Sequence, residues 1–312
     1  MRIVVNGQQA FGAEVFNALL KRGEDVVAVY CAPDKPGAGP DPLRQAAEAA
    51  GVPVRQPASF KTPEAVEEMQ SLSPDLMVMA FVTLFVPEPV LNAPTRGSIQ
   101  YHPSLLPRHR GPSAINWAII GGEDITGVTV FWPDDGLDTG PVLLQREITI
   151  DEDDTLGSLY FDKLFPVGVE AMMDAVDLVR DSDDPPKLMQ DETQATYESW
   201  CRKDDVEVDW GKPVTEVYNL IRGCDPRPGA WTMIGDERVS LFGARQVEGD
   251  ESAQPGKLLD VSDEGLLIAA SGGAIRIERV GIEAGKLDAC QWAQDTGVQP
   301  GAVLGAERPA VS

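Results

Sequence analysis

The sequence predicts an α/β fold: a doubly wound domain around a parallel sheet, followed by a small β-barrel. Over the first two hundred or so residues, short apolar runs alternate with segments of helical period. From about residue 204 that alternation stops, and several short strand-like runs separated by Gly, Asp and Ser take over. The 312 residues leave room for two domains of about 100–200 residues each. The boundary is expected near residue 200, giving domains at 1–200 and 201–312.

The elements follow in order. RIVVN (residues 2–6) reads as a buried strand ending in the turn GQQAFG, and AEVFNALLKRG as a helix stopped at Gly23. DVVAVYCA is a second strand, PDKPGAGPDP a Pro/Gly loop, and LRQAAEAAG a helix stopped at Gly51. VPVRQ, TPEAVEEMQSL and DLMVMAF continue as strand, helix and strand. After a helix-like PEPVLNA come the strands GSIQYH, ITGVTVFW and PVLLQREITI. A long amphipathic helix spans TLGSLYFDKLFPVGVEAMMDAVDLVRD, with a kink expected near Pro166. One further helix, TEVYNLIRG, precedes the strands AWTMIG, RVSLFGARQVE, GKLLDVS, GLLIAAS and AIRIERVGI. The first turn has glycines without the GxGxxG order, so neither NAD nor ATP is expected there.

Composition narrows the function. With 26 Lys and Arg against 50 Asp and Glu, the net charge of −24 disfavours nucleic-acid binding. No apolar run approaches the roughly 18 residues that suggest a membrane span. MRIVVNGQQAFG lacks the pattern of a signal peptide, so a cytoplasmic protein is expected. Cys31, Cys201, Cys224 and Cys290 are widely spaced, which fits reduced thiols better than a zinc or redox motif.

Two stretches carry chemistry. The only histidines, His102 and His109, both lie in YHPSLLPRHRGPSAINW. His102 falls just past a strand end, at the carboxyl edge where open α/β sheets place their sites. Pro103 and Pro107 stiffen the loop that follows, and Arg108, Arg110 and Gly111 precede a helix. The second stretch, Trp132 to Pro141 (WPDDGLDTGP), links two strands and offers Asp134, Asp135 and Asp138 among glycines. Asp-Gly pairs are common hairpin material. The register of a calcium loop is absent, so no metal is expected.

HPSLLP (102–107), Arg110-Gly111 and GLDTG (136–140) resemble the signature of the 10-formyltetrahydrofolate-utilising formyltransferases. That family includes methionyl-tRNA formyltransferase, sugar-amine formyltransferases and the hydrolase domain of 10-formyltetrahydrofolate dehydrogenase. The similarity to the last is strongest and runs nearly end to end, through FGAEVF, YHPSLLPRHRG, FWPDDGLDTG and IRGCDPRPGAW. The resemblance implies a Rossmann-like formyltransferase domain followed by an OB-like barrel. It implies His102 and Asp138 as catalytic residues, with Asp138 orienting the nucleophile and His102 polarising the formyl oxygen. An imidazole can do general acid–base work, and a carboxylate beside it stabilises imidazolium.

Most members carry Asn two residues before the histidine; here the position is Gln100, which keeps an amide donor on a longer arm. It either faces the formyl group or packs into the sheet. Folate is expected along FVTLFVPEPV and GLDTG, with Phe81, Phe85, Val86, Asp134, Gly136 and Leu137 as binding residues. For Phe81, Phe85 and Val86 plain core packing is an equal alternative. The expected activity is hydrolysis of 10-formyltetrahydrofolate to formate and tetrahydrofolate. The alternatives are transfer to a small amine or amino sugar, less readily to initiator methionyl-tRNA, and a non-catalytic folate-binding protein. The sequence is silent on oligomeric state.

Overall fold

The first strand, β1 (Arg2–Gly7), is buried at every position after Arg2, which is why a continuous apolar run rather than an alternating one marks it. The computed structural model describes residues 1–34, 37, 39–249, 252–283 and 285–305. Lys35, Pro36 and Ala38 of the Pro/Gly loop lie outside them. The helix α1 (Gln9–Lys21) buries Phe11, Gly12, Val15, Phe16 and Leu19, one face at helical spacing. Then come β2 (Asp25–Tyr30), α2 (Pro42–Ala49), β3 (Val54–Arg55), α3 (Pro63–Ser71), β4 (Leu76–Ala80), α4 (Glu88–Leu91) and β5 (Ser98–His102). Asp41 and Thr62 cap α2 and α3 with their side chains, and Pro stands in the first helical turn of each. The chain continues through α5 (Ala114–Ile120), β6 (Ile125–Phe131) and β7 (Val142–Thr149).

The strands form one sheet in the order β3-β2-β1-β4-β5-β6-β7. β1 pairs in parallel with β2 and β4, and β4 with β5. β6 runs antiparallel to β5, so the sheet is mixed rather than wholly parallel. The segment between them makes no crossover back along the sheet; it holds α5, which groups with the second unit.

The long helix expected around Pro166 is interrupted. A short α6 (Leu156–Ser158) passes into a π-helical turn at Leu159–Leu164, and α7 (Phe165–Asp181) starts with Pro166 in its first turn. Proline has no N–H to give, so the regular ladder cannot cross this point.

Later come α8 (Val214–Gly223), β8 (Trp231–Ile234), β9 (Glu237–Val247), β10 (Leu258–Ser262), β11 (Gly265–Ala270), β12 (Gly273–Ile282), β13 (Gly285–Asp288) and α9 (Ala289–Thr296). β10-β11-β12-β9-β8 form an antiparallel sheet with β13 against β12. β13 and α9 have no counterpart in the sequence reading. Every residue of β13 is exposed, so no apolar alternation marks it. Asp288 caps α9 and Gly297 ends it with φ of 73°.

Contacts divide the chain into two compact units. One comprises Met1–Gly111, Thr126–Ile148 and Asp162–Tyr197; the other comprises Pro112–Ile125, Thr149–Phe161 and residues from Glu198 onward. The core of the second unit includes Val206, Trp210, Ile221, Leu241, Ile268 and Ile277, all nearly fully buried. All four cysteines are free thiols. No described helix is long and apolar enough to cross a membrane.

Candidate active site

In the sheet register, Met79 of β4 lies beside Gln100 of β5, and Gln100 beside Phe131 of β6. Residues level with one another on neighbouring strands project from the same face. All three border one cavity of about 220 Å³, at the carboxyl ends of β4 and β5. Gln100 therefore faces the cavity.

His102 ends β5 and is 5 % exposed. Its Nε2 lies 2.8 Å from the carbonyl oxygen of His109. A carbonyl only accepts, so Nε2 carries the hydrogen. Nδ1 is left facing Asp138, 3.6 Å from Oδ2. The intervening loop is pinned from β6. Thr129 Oγ1 donates to the Ser104 carbonyl at 2.6 Å and accepts the Leu106 N–H at 3.2 Å. Gln145 donates to Thr129 Oγ1 and to the Leu106 carbonyl, both at 2.9 Å. Ser104 Oγ closes the loop on the Arg108 carbonyl at 2.6 Å.

Asp138 is buried with φ of 57°, a conformation uncommon for a residue with a side chain. Its Oδ2 accepts the Gly111 N–H at 2.9 Å, which ties GLDTG to the end of the histidine loop. The turn is too tight for side chains at its glycines. A Cβ at Gly136 would sit 1.9 Å from Thr139 Oγ1, and one at Gly140 would sit 1.7 Å from the Trp132 carbonyl oxygen. Asp134 Oδ1 accepts from the Gly136 N–H at 3.0 Å and from Thr139 Oγ1 at 2.6 Å.

Asp134, Gly136, Leu137 and Asp138 border the cavity, as do Phe85 and Val86. Val86 is buried, whereas Phe85 and Leu137 are about half exposed. Phe81 is exposed, has φ of 63° and does not border the cavity. At about 220 Å³ the space is smaller than the ~300–1,000 Å³ of pockets that enclose a drug-sized ligand, so it suits one ring system of a longer molecule. Among the described residues, no group of three or more His, Cys, Asp or Glu is placed to hold a metal ion. The first turn of α1 is taken by an internal anion: Asp41 accepts the Gln9 N–H at 2.9 and 3.0 Å. That is where nucleotide-binding α/β folds accept a phosphate.

The family described as formyl transferase matches residues 1–176, and its carboxy-terminal domain matches residues 201–296. The chain belongs to the formyl transferase family. It is 45 % identical over 249 residues to a cytosolic 10-formyltetrahydrofolate dehydrogenase of Xenopus tropicalis, covering 78 % of this chain and 27 % of that protein. The chain thus spans about a quarter of that relative's length. It is 38 % identical over 314 residues to a methionyl-tRNA formyltransferase of Geotalea uraniireducens, covering 98 % of each chain. Among solved structures, HypX from Aquifex aeolicus in complex with tetrahydrofolic acid has the same fold over 95 % of this chain and 47 % of its own, with a TM-score of 0.69 and 22 % identity.

The two formyl transferase matches leave residues 177–200 between them, and part of that segment reaches the site. Arg110, fully buried, holds Glu192 through two hydrogen bonds of 3.0 and 2.6 Å and also meets the Tyr197 hydroxyl. The Glu192 hydrogen bonds push the guanidinium up from its usual value, and they hold the Glu192 carboxyl below the usual glutamate range. Gln190 accepts from Arg110 and donates to the Asp138 and Gly140 carbonyls. Thr129, Gln145, Gln190 and Thr196 went unmarked in the sequence, because nothing local distinguishes a glutamine or threonine that acts on a distant loop.

Proposed function

We propose that this chain removes the formyl group of 10-formyltetrahydrofolate and passes it to water, giving formate and tetrahydrofolate. The observation that carries this reading is the buried facing of His102 Nδ1 and Asp138 Oδ2, 3.6 Å apart beside a cavity that Asp138 and Gln100 both border. The 45 % identity to a 10-formyltetrahydrofolate dehydrogenase supports the donor. The pterin is assigned to the apolar cavity of Phe85, Val86 and Leu137, and folate binding to residues 1–200. Residues 201–312 are assigned to acceptor access and stability.

The hydrogen-bond pattern constrains the chemistry. Nε2–H of His102 is committed to the His109 carbonyl, so only Nδ1 can act on the substrate. Protonated there, it can donate to the formyl oxygen as negative charge develops, with the Asp138 carboxylate beside it to offset the positive ring. The Gln100 amide, which borders the cavity with Asp138, is assigned as a second donor. Asp138 accepts a proton from the attacking water. Collapse of the tetrahedral intermediate breaks the bond from carbon to N10, and N10 takes up the proton that Asp138 accepted from water, so that tetrahydrofolate leaves with formate and the carboxylate is regenerated.

A second reading, transfer to a small amine, uses the same groups with a neutral amine in place of water. The match to a methionyl-tRNA formyltransferase over 98 % of both chains favours it. A tRNA acceptor fits less well with a net charge of −24. The test is to incubate purified protein with 10-formyltetrahydrofolate, with and without amines, and to follow free formate. Formate equal to tetrahydrofolate without amine supports hydrolysis. Turnover that requires an amine, with no formate released, overturns it in favour of transfer.

A further inference from the structure

Residues 186–197 form a strap across both motif loops. The Trp132 indole donates to the Pro186 carbonyl at 2.9 Å. Leu188 and Val142 exchange backbone hydrogen bonds at 2.8 and 2.9 Å, which fixes the strap at the exit of GLDTG. At the other end, Arg110 donates its N–H to the Thr196 carbonyl at 3.0 Å, and Thr196 donates to the Pro107 carbonyl at 3.2 Å. Thr196 Oγ1 accepts the His109 N–H at 2.8 Å. One segment is therefore bonded to the loop that follows His102 and to the loop that carries Asp138.

Between these anchors, the Gln190 amide uses both its ends. Nε2 donates to the carbonyl oxygens of Asp138 at 2.9 Å and Gly140 at 2.7 Å. Oε1 accepts from Arg110 Nε at 3.1 Å and Nη2 at 2.7 Å. Arg110 is fully buried and held in turn by Glu192, so it is a fixed base for the amide. Asp138 stands in a left-handed conformation, uncommon for a residue with a Cβ though adopted by aspartate more readily than by most, and the Gln190 amide braces it. Its carboxylate direction is then completed by the Gly111 N–H.

We propose that Gln190 is a positioning residue for the reaction: its amide hydrogens hold the peptide carbonyls of Asp138 and Gly140, so that the Asp138 carboxylate stays directed at His102 Nδ1. The proposal rests on the reading of His102 and Asp138 as the reacting pair. Gln190 touches no reacting atom. Its effect is on the 3.6 Å separation, and loss of that geometry lowers the rate of the bound complex rather than its formation.

Gln190→Glu is the discriminating variant. It keeps the length and the pairing with Arg110, but it sets acceptor oxygens against two carbonyl oxygens. Expected are a kcat at least about tenfold lower, an unchanged Kd for tetrahydrofolate, and a thermal midpoint close to that of the parent protein. If Gln190→Glu does not fold, Gln190→Met, equally long and without polar atoms, is read by the same rule. Parental kcat overturns the proposal, and so does a fall in kcat matched by an equal loss of tetrahydrofolate affinity, which marks a general loosening of the site. His102→Ala and Asp138→Ala run alongside. If they retain full turnover, the proposed function and this role fall together. If they lose turnover while Gln190→Glu does not, only the positioning role falls.

Discussion

His102 donates its Nε2–H to the carbonyl oxygen of His109, seven residues further along the same loop, at 2.8 Å. The bond fixes the tautomer of the neutral ring and turns Nδ1 toward Asp138. The loop closed on its own backbone in this way takes a left-handed turn at His109, whose φ is 56°. The pinning by Thr129 and Gln145 keeps it in place.

Gln100 faces the cavity, and its variants should divide by what they leave there. Gln100→Asn keeps an amide and should hold formyl-folate turnover within about tenfold, or ~1.4 kcal/mol. Gln100→Ala should cost more, up to the ~3–4 kcal/mol of one lost oxyanion donor. Steady-state kcat/KM for the two variants decides the matter. Equal, small losses would remove the amide from the chemistry.

Gly140→Ala places a methyl group 1.7 Å from the Trp132 carbonyl oxygen, so the turn must open. A destabilisation of about 1–3 kcal/mol is expected in chemical denaturation, together with loss of turnover larger than the change in stability explains. An unchanged variant would mean that the turn has slack to spare and that Asp138 is not held by it.

Asp41 joins the start of α1 to the start of α2, accepting from Gln9 at 2.9 and 3.0 Å and from Leu43 at 2.9 Å. Asp41→Ala should cost about 0.5–2 kcal/mol, the scale of a lost cap, and leave kcat unaltered. A fall in kcat without a fall in stability would place Asp41 in the reaction instead.

The Glu192 carboxyl is held below its usual range by the hydrogen bonds from Arg110. A group with a depressed folded value contributes stability that is complete above its ordinary range and is lost as pH falls through the native value. Hydrogen-exchange protection at the Arg110 and Thr196 amides should therefore be flat across about pH 5–8 and decline only below the ordinary glutamate range. Protection that already falls near neutrality would show that this pair does not anchor the strap.

Much of this was legible in the sequence, for reasons that differ by residue. His102 and Asp138 stand in specific motifs, and the chain has only two histidines. Apolar runs such as RIVVN and LMVMA announce buried strands because both faces of those strands are covered. Gln100 was undecidable from sequence, since a polar residue in a strand can face either side. The register between Met79 and Phe131 decides it. Gln190 was invisible because its partner Asp138 is 52 residues away, and a lone glutamine in a polar segment carries no pattern. The antiparallel turn of β6 was also hidden, because hydrophobic runs specify burial and not strand direction.

Joint action of His102 and Asp138 on the formyl group is the step on which the proposed reaction rests. Its most direct test is turnover of 10-formyltetrahydrofolate by His102→Ala and Asp138→Ala, with tetrahydrofolate affinity measured on the same samples. Each variant is expected to lose about 10² or more in kcat while binding tetrahydrofolate as the parent protein does. Near-parental turnover in either variant would contradict joint action of the pair.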